Sequence, residues 1–178
     1  MGLFSRADPP THFPEVRGRR LDGTDLTLPG DLPADATLLV VSFRDDLDPL
    51  ADQWARLGDR LAAAHGERFA VWEVPVVNKA LKFLGELGTV GIRGQIGDER
   101  ERERTVPIFA EPKAFRKALE IPSASGVYPV LVTRDGRIAW RGDGEIGIEE
   151  VEGLEAAVQG LLGPPLPATS EDPGPEAS

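Results

Sequence analysis

The stretch Thr37-Leu38-Leu39-Val40-Val41-Ser42-Phe43-Arg44-Asp45-Asp46-Leu47-Asp48-Pro49-Leu50 changes character halfway along. Its first seven residues are almost continuously apolar, which predicts a parallel strand covered on both faces. Asp48 suits a helix cap, and Pro49 suits the first helical position, where a missing N–H costs nothing. Leu50, Trp54, Leu57 and Leu61 then recur at i, i+4, i+7 and i+11 as one apolar stripe. His65-Gly66 closes the helix. A buried strand feeding a helix is the opening half of a parallel α/β unit.

The neighbouring sequence extends this pattern. Upstream, Asp22-Gly23 turns a first strand at 13–18 into a second at Asp25–Leu28. Downstream, residues 69–77 read as another central strand. Asn78 can cap a following helix with Leu81, Leu84 and Leu87 inward. A strand at 105–109 and a helix at 112–119 come next, the latter with Phe115 and Leu119 inward. Residues 127–133 and 137–141 form a hairpin around Asp135-Gly136. The last helix, 149–162, turns Val151, Leu154, Val158, Leu161 and Leu162 to the core. The expected architecture is α/β, a mixed central sheet with helices on both faces and an antiparallel edge. Three segments are expected: a flexible leading stretch at 1–12, a domain at 13–163, and a tail at 164–178. That tail holds five prolines, three acids and no Lys or Arg, too little apolar surface to offset its ordering entropy.

Composition removes several functions. The chain has 178 residues, with 20 Lys+Arg against 30 Asp+Glu, a net charge of −10. Such a charge argues against nucleic acid or an anionic membrane surface as partner. There are no cysteines, so disulfides, thiolate metal sites and thiol nucleophiles are excluded. No run approaches the ~18 apolar residues of a membrane span. The start carries no apolar signal region, and Arg6 stands where a myristoylation signal requires Ser or Thr. A cytoplasmic address is expected. His12 and His65, the only histidines, do not suggest a metal pair or a triad. Ser123 and Ser125 lie outside any nucleophile elbow. Gly85, Gly88, Gly91, Gly94 and Gly97 match no phosphate-loop spacing. The run Asp98-Glu99-Arg100-Glu101-Arg102-Glu103-Arg104 reads as a solvated surface stretch. No cofactor and no metal are expected.

The order of elements, together with Leu47-Asp48-Pro49-Leu50 and Gly126-Val127-Tyr128-Pro129-Val130, resembles the thioredoxin fold in its peroxiredoxin-like, redoxin form. In that family a Cys-x-Pro-Cys motif starts the first helix; here the proline remains and leucine stands at both cysteine positions. Pro129 matches the family's cis-proline, which begins the strand after an inserted helix–strand–helix and faces the motif. The stretch Trp72-Glu73-Val74-Pro75 and Arg104-Thr105-Val106 is also similar to the mitochondrial ATP synthase assembly factor. The resemblance implies geometry without chemistry: leucine has no titratable atom, so neither disulfide exchange nor thiol-based peroxide reduction is open to this chain. Arg44 also stands where the peroxiredoxin pattern wants threonine.

Two functional readings follow. In the first, the chain is a redox-inactive, non-catalytic module that binds a protein or peptide, with an assembly or chaperone-like role, at the degenerate cleft. Leu47, Leu50, Tyr128 and Pro129 form the surface, and Arg44 and Glu73 its rim. The residue before a cis-proline would offer backbone groups to an extended peptide. In the second, a small-molecule or metal binder, or an enzyme, uses Glu73 with Asp45, Asp46 and Asp48. Glu73 interrupts an apolar strand, where an ionised carboxylate is costly unless paired. The fold's geometry suggests Arg44 as its partner. The plainer reading makes Glu73 a structural salt bridge or an exposed acid at the strand end, Asp48 a cap, and Asp45 and Asp46 solvated.

Overall fold

The computed structural model describes residues 10–44, 48–80 and 99–167. The predicted helix at Leu81–Leu87 positions, the glycine series, Asp45, Asp46, Leu47 and the tail beyond residue 167 lie outside the described residues. Among the described residues, seven strands form one mixed sheet: β1 (Val16–Arg19), β2 (Asp25–Leu28), β3 (Ala36–Ser42), β4 (Phe69–Asn78), β5 (Ile108–Ala110), β6 (Tyr128–Thr133) and β7 (Ile138–Arg141). Their order is β2-β1-β5-β4-β3-β6-β7. β3 pairs with β4 in parallel and β6 antiparallel, and β4 pairs with β5 in parallel. The helices are α1 (Asp48–His65), α2 (Glu99–Arg104), α3 (Pro112–Ala118) and α4 (Ile148–Leu162).

Every residue of β3 is buried, as a strand sandwiched between helices requires. Alternation along β3 feeds two cores. Leu39 and Val41 join Trp72, Val74, Ile108, Phe115 and Val130 on the α3 face. Leu38 and Val40 join Trp54, Leu57, Val71, Leu131 and Leu154 on the face covered by α1 and α4. The α1 stripe is seated as the spacing predicted, with Trp54 fully buried; its indole N–H donates to Gly144 O at 2.8 Å. The helix starts at Asp48, so Asp48 is its first residue and Pro49 its second, one step later in the helix than the capping pattern suggested. Proline is still harmless there, because the first four N–H groups lack intrahelical acceptors.

At both sheet edges the chain itself covers part of the outer strand. Beside β2, Thr27 N–H donates to Asp31 Oδ2 at 2.7 Å, and Thr27 O accepts from Asp31 N–H at 2.9 Å. Beside β7, Ile138 N–H donates to Thr11 O at 2.8 Å and His12 bridges Arg137. Unpaired strand edges invite intermolecular pairing, and these contacts obstruct it.

The α1–β4 contact tolerates no side chain at Gly58, where an added Cβ would lie 2.6 Å from Val71 Cβ. Gly58→Ala gains about 1 kcal/mol of helix propensity. Overpacking a tight contact costs about 1–3 kcal/mol. The variant is therefore expected to unfold at lower urea concentration than the wild type. Adding Val71→Ala should make the double variant less destabilised than the two single effects summed.

Candidate functional site

The corner where β3 ends and α1 begins is the region the sequence singled out. Arg44 is exposed there, and Leu50 is half-buried against the α1-side core. Phe43 turns to the other face, 6.3 Å from the ring of Phe115. Tyr128 and Pro129 are buried.

Pro129 corrects one expectation. Among the described residues the cis peptide is Leu28–Pro29, so the Tyr128–Pro129 bond is trans. β6 enters the sheet as a regular strand from its first residue, with Tyr128 opposite Val41 and Pro129 opposite Val40. Pro129 O accepts from Gly142 N–H at 2.9 Å, on the β7 side. A residue's N and O point the same way in an antiparallel strand, so the missing proline N–H takes nothing from the β3 ladder. The carbonyls flanking Tyr128 are therefore occupied: Val127 O accepts from Gly144 N–H at 3.0 Å, and Pro129 O from Gly142. The loop at 142–144 fills the backbone edge that an extended peptide would need. The tilted Trp54–Trp140 pair, with centroids 6.0 Å apart, backs that loop.

Glu73 supplies the second correction. Its register places it beside Val40, inside the sheet, rather than at the strand mouth near Arg44. Its partner is Arg104: Nε donates to Glu73 Oε1 at 2.6 Å. The same guanidinium donates from Nη1 to Asp59 Oδ2 at 2.9 Å and from Nη2 to Asp52 Oδ1 at 3.0 Å. Arg56 also reaches Asp52, at 2.7 Å. Both central side chains are largely covered, Arg104 being 13 % exposed and Glu73 14 %. Burial raises the Glu73 pKa; the hydrogen bond and charge of Arg104 oppose that, while Glu101 and Asp52 reinforce it. For Arg104, burial favours the neutral form, but Glu73, Asp59 and Asp52 outweigh it and its pKa is raised.

Sequence reading missed this network because it assigned Arg104 to a solvated run. Residues 99–103 of that run are half-buried or exposed, as expected, but Arg104 turns inward where the chain rejoins the sheet. Two signals were available: Asp52 and Asp59 stand at i and i+7 on one face of α1, and Glu73 in an apolar strand requires a cation. The network consumes Glu73 in a structural ion pair, which takes a carboxylate from the proposed small-molecule or metal reading. Among the described residues, no group of three or more His, Asp or Glu is arranged to hold a metal ion. An open groove of about 570 Å³ lies between α3 and the β1–β5 side, with Val16, Arg17, Phe109 and Phe115 in its lining. It belongs to the face opposite α1. No described helix is long and apolar enough to cross a membrane.

No protein-family model matches the chain, and no curated protein matches it in sequence. Solved structures do match in shape. A putative thiol:disulfide interchange protein DsbE from Chlorobium tepidum superposes with a TM-score of 0.57 at 15 % identity, covering 88 % of this chain and 99 % of that one. The thioredoxin fold is the fold of this chain. ScoI from Arabidopsis thaliana, solved with copper bound, gives a TM-score of 0.55 at 12 % identity, covering 83 % and 98 %. An uncharacterised conserved protein from Geobacillus kaustophilus gives 0.56 at 20 %, covering 92 % and 87 %. These likenesses carry the architecture alone, and none of them supports the link to the ATP synthase assembly factor. The name of the Chlorobium neighbour speaks of thiol:disulfide interchange, whereas this chain has no cysteine.

Proposed function

We propose that this is a cytoplasmic, non-catalytic member of the redoxin type, which uses the surface at the start of α1 to hold a protein or peptide. The observation that carries the reading is a thioredoxin fold in a chain without cysteine; the reading takes Leu47 and Leu50 as standing at the two positions of the family's redox motif. Aliphatic side chains at a helix start offer an apolar contact where the fold ordinarily displays reactive sulphur. The N-terminal β1–β2 hairpin and the α2–β5–α3 insertion before β6 support the redoxin type. Since β6 has its own backbone partners, recognition would run through the side chains of Leu47, Leu50 and Arg44, with Tyr128 and Pro129 forming the buried floor.

The test compares Leu47→Asp/Leu50→Asp with Arg134→Asp, a change at the opposite end of the sheet. A photo-crosslinker placed at Arg44 should trap a defined partner in the wild-type and Arg134→Asp backgrounds and lose it in the double-aspartate background. Equal trapping in all three, with folding intact by circular dichroism, would remove the α1 start as the binding surface.

A further inference from the structure

We infer that α2 is a strap held by charge, which opens from the body as a unit while the sheet beneath it stays folded. Its sequence is Glu-Arg-Glu-Arg-Glu-Arg, and none of its residues is buried. A helix of this length does not persist alone in water, so its contacts to the body must hold it.

Those contacts are polar. Arg104 reaches inward to Glu73 on β4 and to Asp52 and Asp59 on α1. From the body, Arg20 Nη2 donates to Glu103 O at 3.1 Å, while its guanidinium lies 5.5 Å from the centre of the Trp72 ring. Past the strap, Val106 is fully buried and its N–H donates to Glu73 O at 2.8 Å. Segments with few buried apolar contacts occupy the low end of the range of local opening free energies. The core beneath has the opposite character, with β3 wholly buried.

Charge and apolar contacts also respond differently to salt. Screening shortens from about 10 Å at 0.1 M to about 3 Å at 1 M ionic strength. Asp52 and Asp59, 32 % and 49 % exposed, are within reach of that screening. Opening would withdraw Arg104 from Glu73, Asp52 and Asp59, leaving Arg56 on Asp52 as the remaining described pair there. A surface where two guanidiniums face three carboxylates would thereby become more acidic.

Amide hydrogen exchange of the full chain tests this. The reporter is Thr105, whose N–H donates to Glu101 O at 3.0 Å in the last turn of α2; a helix this short melts once it leaves the body, so that amide exchanges when the strap opens. Raising NaCl from about 0.05 M to about 1 M should speed Thr105 exchange in the wild type and leave β3 amides unchanged. Arg104→Gln should accelerate Thr105 exchange about tenfold or more. If Arg104→Gln loosens β3 as well, the salt comparison on the wild type decides. Exchange of Thr105 that follows β3 at both salt concentrations would overturn the strap.

Discussion

Arg104→Met is expected to cost about 3 kcal/mol, because breaking a buried ion pair leaves its partner's charge uncompensated. Glu73, Asp52 and Asp59 all lose their shared donor in this variant. Exposed pairs such as Arg19–Asp25 contribute about 0–1 kcal/mol by comparison. For a domain of this size the loss corresponds to a melting temperature lower by about 6–12 °C. A drop smaller than the Gly58→Ala effect would show that the guanidinium is not the centre of the network. Removing the acid instead of the base should have a different outcome. Glu73→Gln leaves Arg104 with Asp52 and Asp59 and removes a carboxylate whose ionisation burial opposes. It is expected within about 1 kcal/mol of wild type at neutral pH, and Glu73→Gln/Arg104→Met should be less damaged than Arg104→Met alone.

The direction of the Glu73 shift fixes the pH dependence. An acid whose folded pKa lies above its unfolded value, near ~4.3, keeps its full contribution to stability below the unfolded value. That contribution declines as pH rises through the folded value. Glu73→Gln removes this decline, so its stability relative to wild type should improve from acid to neutral pH. Urea midpoints of the two proteins, measured on both sides of the unfolded value, read the crossover; parallel curves would contradict a raised Glu73 pKa.

Most of the scaffold was legible because it follows from apolar periodicity. β3, α1 and α4 are long and strongly patterned, and the structure places them within a residue or two of expectation. Asp22-Gly23 and Asp135-Gly136 likewise announced their hairpins, with Gly23 at φ 94° and Gly136 at φ 88°, a region other residues avoid. α2 was not legible for the same physical reason: it buries no apolar face and so leaves no period to detect. Pairings formed across long sequence separation were equally hidden. Nothing local to Glu73 indicates that its cation arrives from position 104, after an intervening segment. The trans bond at Pro129 belongs to this group as well, since its surroundings are made by Gly142 and Gly144 from beyond β7.

Leu47→Cys/Leu50→Cys is expected to convert a chain without thiols into one that closes an intramolecular disulfide. The two positions bracket the first residues of α1, which begins at Asp48, at the spacing that the thioredoxin fold uses for its motif. Thiol titration should find two free thiols after dithiothreitol and none after oxidised glutathione, with each single variant giving only a mixed glutathione adduct. The chemistry of the new pair should nevertheless be sluggish. A helix start favours a thiolate by about 0.3–1 kcal/mol, which is less than one pKa unit. Asp45, Asp46 and Asp48 follow Arg44 in sequence, and their negative charge opposes that stabilisation. The alkylation rate of Leu47→Cys should therefore titrate near the free-thiol value of ~8.5 rather than in the depressed range of redox enzymes. Adding Asp48→Asn should move that midpoint downward, because one opposing carboxylate is gone. Two thiols that stay reduced in oxidised glutathione, or that link only between molecules, would mean that Leu47 and Leu50 do not meet at the corner assigned to them, and the proposed binding surface would lose its basis.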